Sequence, residues 1–438
     1  MFVVKIKLVV DVKKAFIVGE EVSLRGRITA KRNMRNIVFF TLRDRTDFIQ
    51  LIWEKYANNL NMTMTNEGDI VYVEGKNTFS ETGEKSLLLS KVDIITKTQI
   101  KGGIREKCKQ KKTCNGKIID NILNQEKSQY YADCSHVVLQ IRKNLYDQDF
   151  LEFNTGILHS SFDGGYSQPF ETFLEKGKRR LYLRPTLEIR LKQLLASGYE
   201  KVFEIGNVFR NGSFNSRNSP EFVLLECYQA FADYNIMMEI LEKTVKNSIQ
   251  NVFSEKEYTI RVKQILGIWE KKSFLELINK INKNVQGINS NDLKNFLVSQ
   301  GLTTNFLDEG QLVRTIIQKI LIPRIENPTY ITDLPLSVFP LAKSSNHNKK
   351  SEAAILAFDG EFLGEVYTDE NNPQIIESRL NKQMVLSGRK SNIDFIELLR
   401  FGLPPSAGFG LGINRLLLTF RGDWKKDIQE TFVFRPLK

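Results

Sequence analysis

Apolar and polar positions change rhythm near residue 100. Before it, apolar residues come in short alternating runs at 22–28, 37–43, 48–53, 69–75 and 86–90. Each run is rich in β-branched or aromatic residues and is bounded by turn formers, the pattern of half-buried strands. The first ten residues also alternate and carry Lys5 and Lys7, which predicts a strand there and not a cleaved leader. A short helix is expected over 53–61. Five strands and one helix match a Greek-key barrel of the OB type better than a generic β-sandwich, although a sandwich shares the alternation.

From residue 148 onward strands and helices mix without regular βα alternation. That argues against a doubly wound sheet and for an α+β fold. Asp233 reads as a helix N-cap, because Met237, Leu241, Val245, Ile249 and Val252 follow at helical spacing on one face. Residues 254–320 are rich in Lys, Asn and Ile and are predicted to be mostly helical. Between the two regions, 101–120 holds Lys101, Arg105, Lys107, Lys109, Lys111, Lys112 and Lys117 against Glu106 and Asp120. This segment is either a solvated linker or a hinge that touches phosphates. The expected organisation is a barrel over 1–100, a basic connector and helical hinge over 101–147, and an α+β domain over 148–438.

Composition narrows the function classes. Of 438 residues, 63 are Lys or Arg and 51 are Asp or Glu, a formal charge of +12. The excess fits a polyanionic partner but does not identify one. No apolar run reaches the ~18 residues that would span a membrane. Cys108, Cys114, Cys134 and Cys227 form neither a disulfide framework nor a zinc spacing, so a reducing, cytoplasmic setting is expected. His136, His159 and His347 are dispersed, which disfavours a histidine triad or metal cluster.

The chemistry concentrates in two stretches. Residues 202–228 read as strand, Asn/Ser-rich loop, strand. On the second strand Phe222, Leu224, Glu226 and Tyr228 share parity and so share a face. An aromatic ring, a carboxylate and a phenol on one sheet face make a poor core and a good pocket floor. Arg210 ends the first strand and Arg217 lies in the loop, where their planar donor forks suit phosphates. In the second stretch Gly408, Gly410 and Gly412 alternate along a strand, leaving one face bare for a flat ligand. Arg415 follows in an apolar helix, in reach of an anionic group.

Taken together, these stretches resemble the second and third signature motifs of class II aminoacyl-tRNA synthetases, and within them the lysyl-tRNA synthetases. The lysine-type segments are 203–211, 220–234, 181–184 with Glu188, and 327–333. Asp163-Gly-Gly-Tyr166 resembles the family's loop beside bound lysine. The resemblance implies an OB barrel that reads the anticodon through Phe39, Gln50 and Glu84. It also implies a class II antiparallel sheet flanked by helices. Arg210 then meets the α-phosphate of ATP, Phe222 stacks on adenine, Gly412 lies under the nucleotide and Arg415 meets the γ-phosphate. Gly165, Glu188, Glu226, Tyr228, Tyr367 and Asp369 hold the amino acid, and Glu361 holds Mg²⁺.

The sequence also departs from that pattern. Gly156 stands for the proline of the first motif, Gly212 for a Glu after Arg-Asn, and Asn218-Ser219 for His-Asn. Ala354 replaces a second metal carboxylate, Glu365 an Asn, and Asn414 an Asp. The implied reaction joins lysine to tRNA(Lys) through lysyl-adenylate, with ATP and Mg²⁺, in a homodimer. Two alternatives stay open: an aspartate or asparagine ligase, and a non-catalytic or altered-specificity relative that binds tRNA.

Overall fold

The computed structural model describes residues 6–55, 65–100, 104, 118, 121–161, 168–254, 259–282, 288–304, 308–345, 350–387, 393–420 and 427–434. The chain divides into two units, Met1–Ala132 and Asp133–Lys438.

In the first unit β1 (Glu21–Asn33), β2 (Ile37–Arg43), β3 (Phe48–Glu54), β4 (Ile70–Phe79) and β5 (Lys85–Thr96) close into a barrel ordered β1-β2-β3-β5-β4. Only the β3–β5 pair is parallel. This is the expected OB-type barrel, and its core comes from the period-two pattern. Val38, Phe40 and Leu42 of β2 point inward, whereas Phe39, between two of them, lies half-buried on the outer face. Truncating a core ring such as Phe40 would cost about 3–5 kcal/mol.

Two expectations fail here. Val9–Lys14 is a helix and not part of a strand; among the described residues upstream, Ile6 bridges to Ser23. The reason is tertiary: the Asp44 carboxylate accepts the Val9 N–H at 2.8 Å and Thr46 Oγ1 accepts that of Val10 at 3.2 Å. Val9 and Val12 then join the barrel core. The helix expected over 53–61 does not begin at Trp53, which with Glu54 ends β3; residues 56–61 lie outside the described set. Most of the basic connector also lies outside it.

The second unit is built on an eight-stranded sheet ordered β12-β13-β14-β15-β16-β11-β10-β6. These are β6 (Leu151–Glu152), β10 (Lys201–Phe209), β11 (Glu221–Ala230), β12 (Glu270–Ser273), β13 (Thr329–Thr332), β14 (Ala353–Phe358), β15 (Glu361–Thr368) and β16 (Ser406–Gly412). Its interior pairs are antiparallel, as expected, and its two edge pairs, β10–β6 and β12–β13, are parallel. A separate three-stranded sheet joins β7 (Leu158–His159), β9 (Arg179–Leu183) and β8 (Phe170–Leu174).

Helices cover the large sheet. Tyr234–Gln250 starts at Asp233, whose carboxylate accepts the N–H groups of Asn235 and Ile236, and it buries Met237, Leu241, Val245 and Ile249. Helices Phe274–Ile281, Ser290–Ser299 and Glu309–Ile316 form one core with Ile331 and Ile355. Helix Glu188–Ala196 packs through Ile189, Leu191 and Leu195 against Val202 and Val208 of β10. No described helix is long and apolar enough to cross a membrane.

Candidate active site

β16 lies between β11 and β15, and its glycines decide what those neighbours can do. In register, Glu226 faces Gly410, which faces Glu365. One step along, Tyr228 faces Gly408, which faces Tyr367. Two rows of large side chains therefore lean together over a strand with none on that face. A Cβ at Gly408 would be driven into the Tyr228 ring and would sit 2.8 Å from the Cys227 carbonyl oxygen. At Gly410 the nearest atom would be Glu226 Cγ at 3.7 Å.

The resulting cavity holds about 380 Å³ and is lined by Arg210, Phe222, Glu226, Tyr228, Gly412 and Arg415, by Glu188 and Tyr367, and by Glu365 and Arg217. The expected parity of Phe222, Leu224, Glu226 and Tyr228 holds, since all four line it. A volume of this size is that of a small-molecule site.

Its two ends differ in charge. At one end Glu226 is buried, with Oε1 accepting Thr186 Oγ1–H at 2.5 Å and the Leu187 N–H at 3.3 Å. Tyr228 donates to its other oxygen at 3.2 Å. Burial, with Glu188 close by, lifts the Glu226 carboxyl to about 7. Tyr367 donates to Glu188 Oε1. Burial and the surrounding carboxylates hold both tyrosines well above their usual range, so they remain donors.

Behind this end lies Lys192, which carries no motif signal in the sequence. It is fully buried, with its ammonium 2.6 Å from Glu188 Oε1 and 2.6 Å from Asp369 Oδ1. The rings of Tyr228 and Tyr367 stand 5.3 and 5.1 Å from Nζ. Burial alone would lower its pKa, but Asp369 and Glu188 outweigh it and hold the ammonium charged. Asp369 also accepts from Ser406 Oγ at 2.6 Å and does not line the cavity. Its carboxylate meets Lys192 instead.

The other end carries guanidiniums. Arg210 donates from Nε to the Pro185 carbonyl at 3.1 Å, and its Cζ lies 5.2 Å from the Phe222 ring centre. Arg415, in helix Ile413–Leu418, donates to the Phe362 carbonyl at 3.1 Å and to Asn218 Oδ1 at 3.3 Å. Arg217 is exposed, with Nε 3.9 Å from buried Glu361. Among the described residues no group of three His, Cys, Asp or Glu is placed to hold a metal ion. Glu361 is buried beside Arg217 and Arg415 and is not among the residues lining the cavity, and Ala354 is enclosed in β14 away from it.

Glu365, at the position of an expected Asn, pairs with Arg314 at 3.2 Å, and Arg314 also donates to the Val338 carbonyl at 2.5 Å. Arg314 carries no motif signal in the sequence. Asn414 ties β11 to the C-terminal turn, accepting the Val223 N–H at 2.7 Å and donating to Thr431 Oγ1 at 2.8 Å. Gly156 adopts a φ of 80°, which the fixed negative φ of a proline forbids. Gly165 lies outside the described residues.

On the barrel, Phe39 pairs with Ile52 and Thr41 with Gln50 on the outer face of β2 and β3. Gln50 Nε2 donates to Glu84 Oε2 at 3.1 Å and Gln50 Oε1 accepts from Ser86 Oγ at 2.9 Å. The three residues therefore sit on one outer surface, with the amide held by its neighbours.

Comparison with known proteins agrees with this geometry. Residues 110–437 match the family described as tRNA synthetases class II (D, K and N), and residues 22–95 match the OB-fold nucleic acid binding domain. The lysine–tRNA ligase of Buchnera aphidicola is 30% identical over 96% of this chain and 88% of its own length. That of Trichormus variabilis is 29% identical over 96% and 80%, and that of Saccharolobus solfataricus 28% over 94% and 86%.

Proposed function

The chain belongs to the class II tRNA synthetases (D, K and N), and on that premise we propose that it is a lysine–tRNA ligase. The lysine carboxylate attacks the α-phosphate of ATP, giving lysyl-adenylate and pyrophosphate. The 3′-terminal ribose of tRNA(Lys) then takes the lysyl group and releases AMP. The observation that carries the amino-acid choice is the acidic end of the cavity, where Glu188 and Glu226 stand beside two tyrosine donors. A buried carboxylate left without its ammonium partner penalises uncharged and acidic substrates alike. That argues against aspartate and asparagine, as do the names of the similar proteins.

In this reading Arg210 takes the α-phosphate and Arg415 the γ-phosphate. Phe222 stacks on adenine and Gly412 leaves room for the nucleotide. Catalysis is positioning and stabilisation of charge on phosphorus. Gly165, Glu188, Glu226, Tyr228 and Tyr367 hold lysine, and Asp369 acts on it from behind through Lys192. Glu361 alone suits a Mg²⁺ ion whose remaining ligands are phosphate oxygens and water. Bound there, the ion would neutralise phosphate charge.

Phe39 stacks on an anticodon base while Gln50 and Glu84 read edges. The enzyme works in the cytoplasm as a homodimer. Exposed Leu151, Leu158, Phe173 and Leu174, on β6, β7 and β8, support a pairing surface.

ATP–pyrophosphate exchange with each of the twenty amino acids tests the reading. Lysine alone is expected to support exchange. Exchange with aspartate or asparagine would move the assignment to those ligases. No exchange at any Mg²⁺ concentration, with tRNA still bound, would leave a non-catalytic tRNA-binding relative.

A further inference from the structure

The barrel carries a second concavity, of about 420 Å³, lined by Lys7, Arg25, Arg27, Arg43 and Arg45 together with Asp44. Five cations meet one carboxylate there. That carboxylate is already committed: Asp44 accepts the N–H groups of Val9 and Thr46 and the Thr46 hydroxyl, so it caps the N-terminal helix and the β2–β3 turn. Lys7 pairs with Glu20. Among the described residues none of the four arginines makes an ion pair.

The arginines are also set against one another. Arg27 of β1 is the direct cross-strand partner of Arg43 of β2. Like charges directly opposite in a sheet are destabilising. Gly26 brings them close, since a Cβ there would collide with the Arg43 carbonyl. Arg27 spends one donor on the Gly68 carbonyl at 2.6 Å, and Arg43 spends two on the Asn121 carbonyl and Ser128 Oγ. Those contacts fix the two side chains without neutralising them, and the Asp44 carboxylate acting on Arg43 offsets one of the five charges. Arg25 and Arg45 are exposed and have no hydrogen bond within the described residues. Two fixed arginines flanked by two exposed ones with unspent donors make a cationic concavity suited to an anion.

We propose that this cluster is a phosphate-binding site for the tRNA backbone, separate from the base-reading surface. The fork of each guanidinium matches two phosphate oxygens. Its place on the barrel supplies the ligand class. Arg43 shares the outer face of β2 with Phe39, four residues along one strand, or about 13 Å at 3.3 Å per residue. An RNA chain whose base stacks on Phe39 passes the arginines within a short stretch of backbone. Contacts of this kind fix register and carry no sequence information.

The inference rests on the tRNA-ligase reading, and its test separates the two. Arg25→Glu/Arg45→Glu changes only exposed side chains. tRNA affinity of the full-length protein is measured by fluorescence anisotropy across a salt series, with ATP–pyrophosphate exchange run alongside. The double variant is expected to bind tRNA at least tenfold more weakly. Its log–log salt slope should be shallower by about 1.4–1.8, the loss of two phosphate contacts. Exchange activity and the preference for the cognate anticodon should not move. Unchanged affinity and slope would overturn the site. So would unchanged tRNA binding with an altered sedimentation coefficient, which would make the cluster a contact between copies of the chain. Failure of the wild type to exchange with lysine would strike the ligase reading and leave the phosphate site standing.

Discussion

Lys192→Met isolates the charge arrangement behind the amino-acid pocket. Methionine keeps most of the volume and removes the ammonium. Asp369, whose side chain is 1% exposed, then keeps Ser406 Oγ as its hydrogen-bond donor and loses its ion pair. Breaking a buried pair by deleting one partner costs about 3–5 kcal/mol. Glu188 loses its contact too, but at 17% side-chain exposure it can regain water, so most of the cost falls on Asp369. Asp369 already sits above the usual carboxylate range because of burial, against the pull of Lys192. Without that pull its pKa rises further. The carboxyl then protonates in the folded state, and the deficit relative to wild type should shrink as pH falls. Urea unfolding at neutral and mildly acidic pH measures both effects. Lys192→Met/Asp369→Asn should recover part of the loss, because it leaves no unpaired buried charge. A loss below about 1 kcal/mol at neutral pH, or a double variant no better than the single, would refute the reasoning.

Gly408→Ala and Gly410→Ala should separate. The first should destabilise the fold by about 1–3 kcal/mol through its collision with the Tyr228 ring, whereas the second should fold normally; equal midpoints in thermal unfolding would contradict the register described for β16. Because the Glu226 carboxyl sits near 7, lysine kcat/KM should fall as pH drops through that value, and Glu226→Gln should abolish this limb while weakening lysine capture. Phe39→Ala should weaken tRNA charging by about 1–3 kcal/mol, the worth of one base stack, with pyrophosphate exchange unchanged. Ala354→Glu should destabilise the protein in denaturant titration and not restore a metal ligand, since position 354 is enclosed in β14 and a carboxylate there has no partner.

Much of the site was legible because its logic is period two. The parity of Phe222, Leu224, Glu226 and Tyr228 put them on one face, and the spacing of Gly408, Gly410 and Gly412 cleared the strand beside them. The barrel followed from the same alternation, which requires one of Phe39 and Phe40 to face outward without saying which. What escaped depends on partners distant in sequence. The first ten residues alternate like a strand, but Val9 and Val10 open a helix because Asp44 and Thr46 accept their N–H groups. Glu270–Ser273 carries no apolar alternation and becomes an edge strand by pairing with β13. Glu188 is marked for the amino acid by resemblance, but Lys192, one helical turn on, carries no signal of its own. Only the fold shows that Asp369 closes the pair from the far side and that the lysine is sealed from solvent.

Three departures from the family pattern, Gly212, Ser219 and Asn414, line the cavity, whereas Ala354 is enclosed in β14 away from it. Gly212, Ser219, Ala354 and Asn414 each stand where the pattern has a charged or polar group. Asn414 has become a tether between β11 and the C-terminal turn. Glu361 lies beside Arg217 and Arg415, while Arg210 feels the carboxylates of Glu226 and Glu365. The amino-acid end is opposite in character: Glu188 and Asp369 share one resident cation, Lys192, and Glu226 feels Arg210. The cavity is thus polarised along its length, cationic where ATP phosphates would lie and anionic where a substrate ammonium would. A substrate carrying a carboxylate next to one ammonium and far from another can satisfy both ends only in one direction, with its carboxylate toward the guanidiniums. On the ligase reading, the same polarity would both favour lysine and turn its carboxylate toward the α-phosphate.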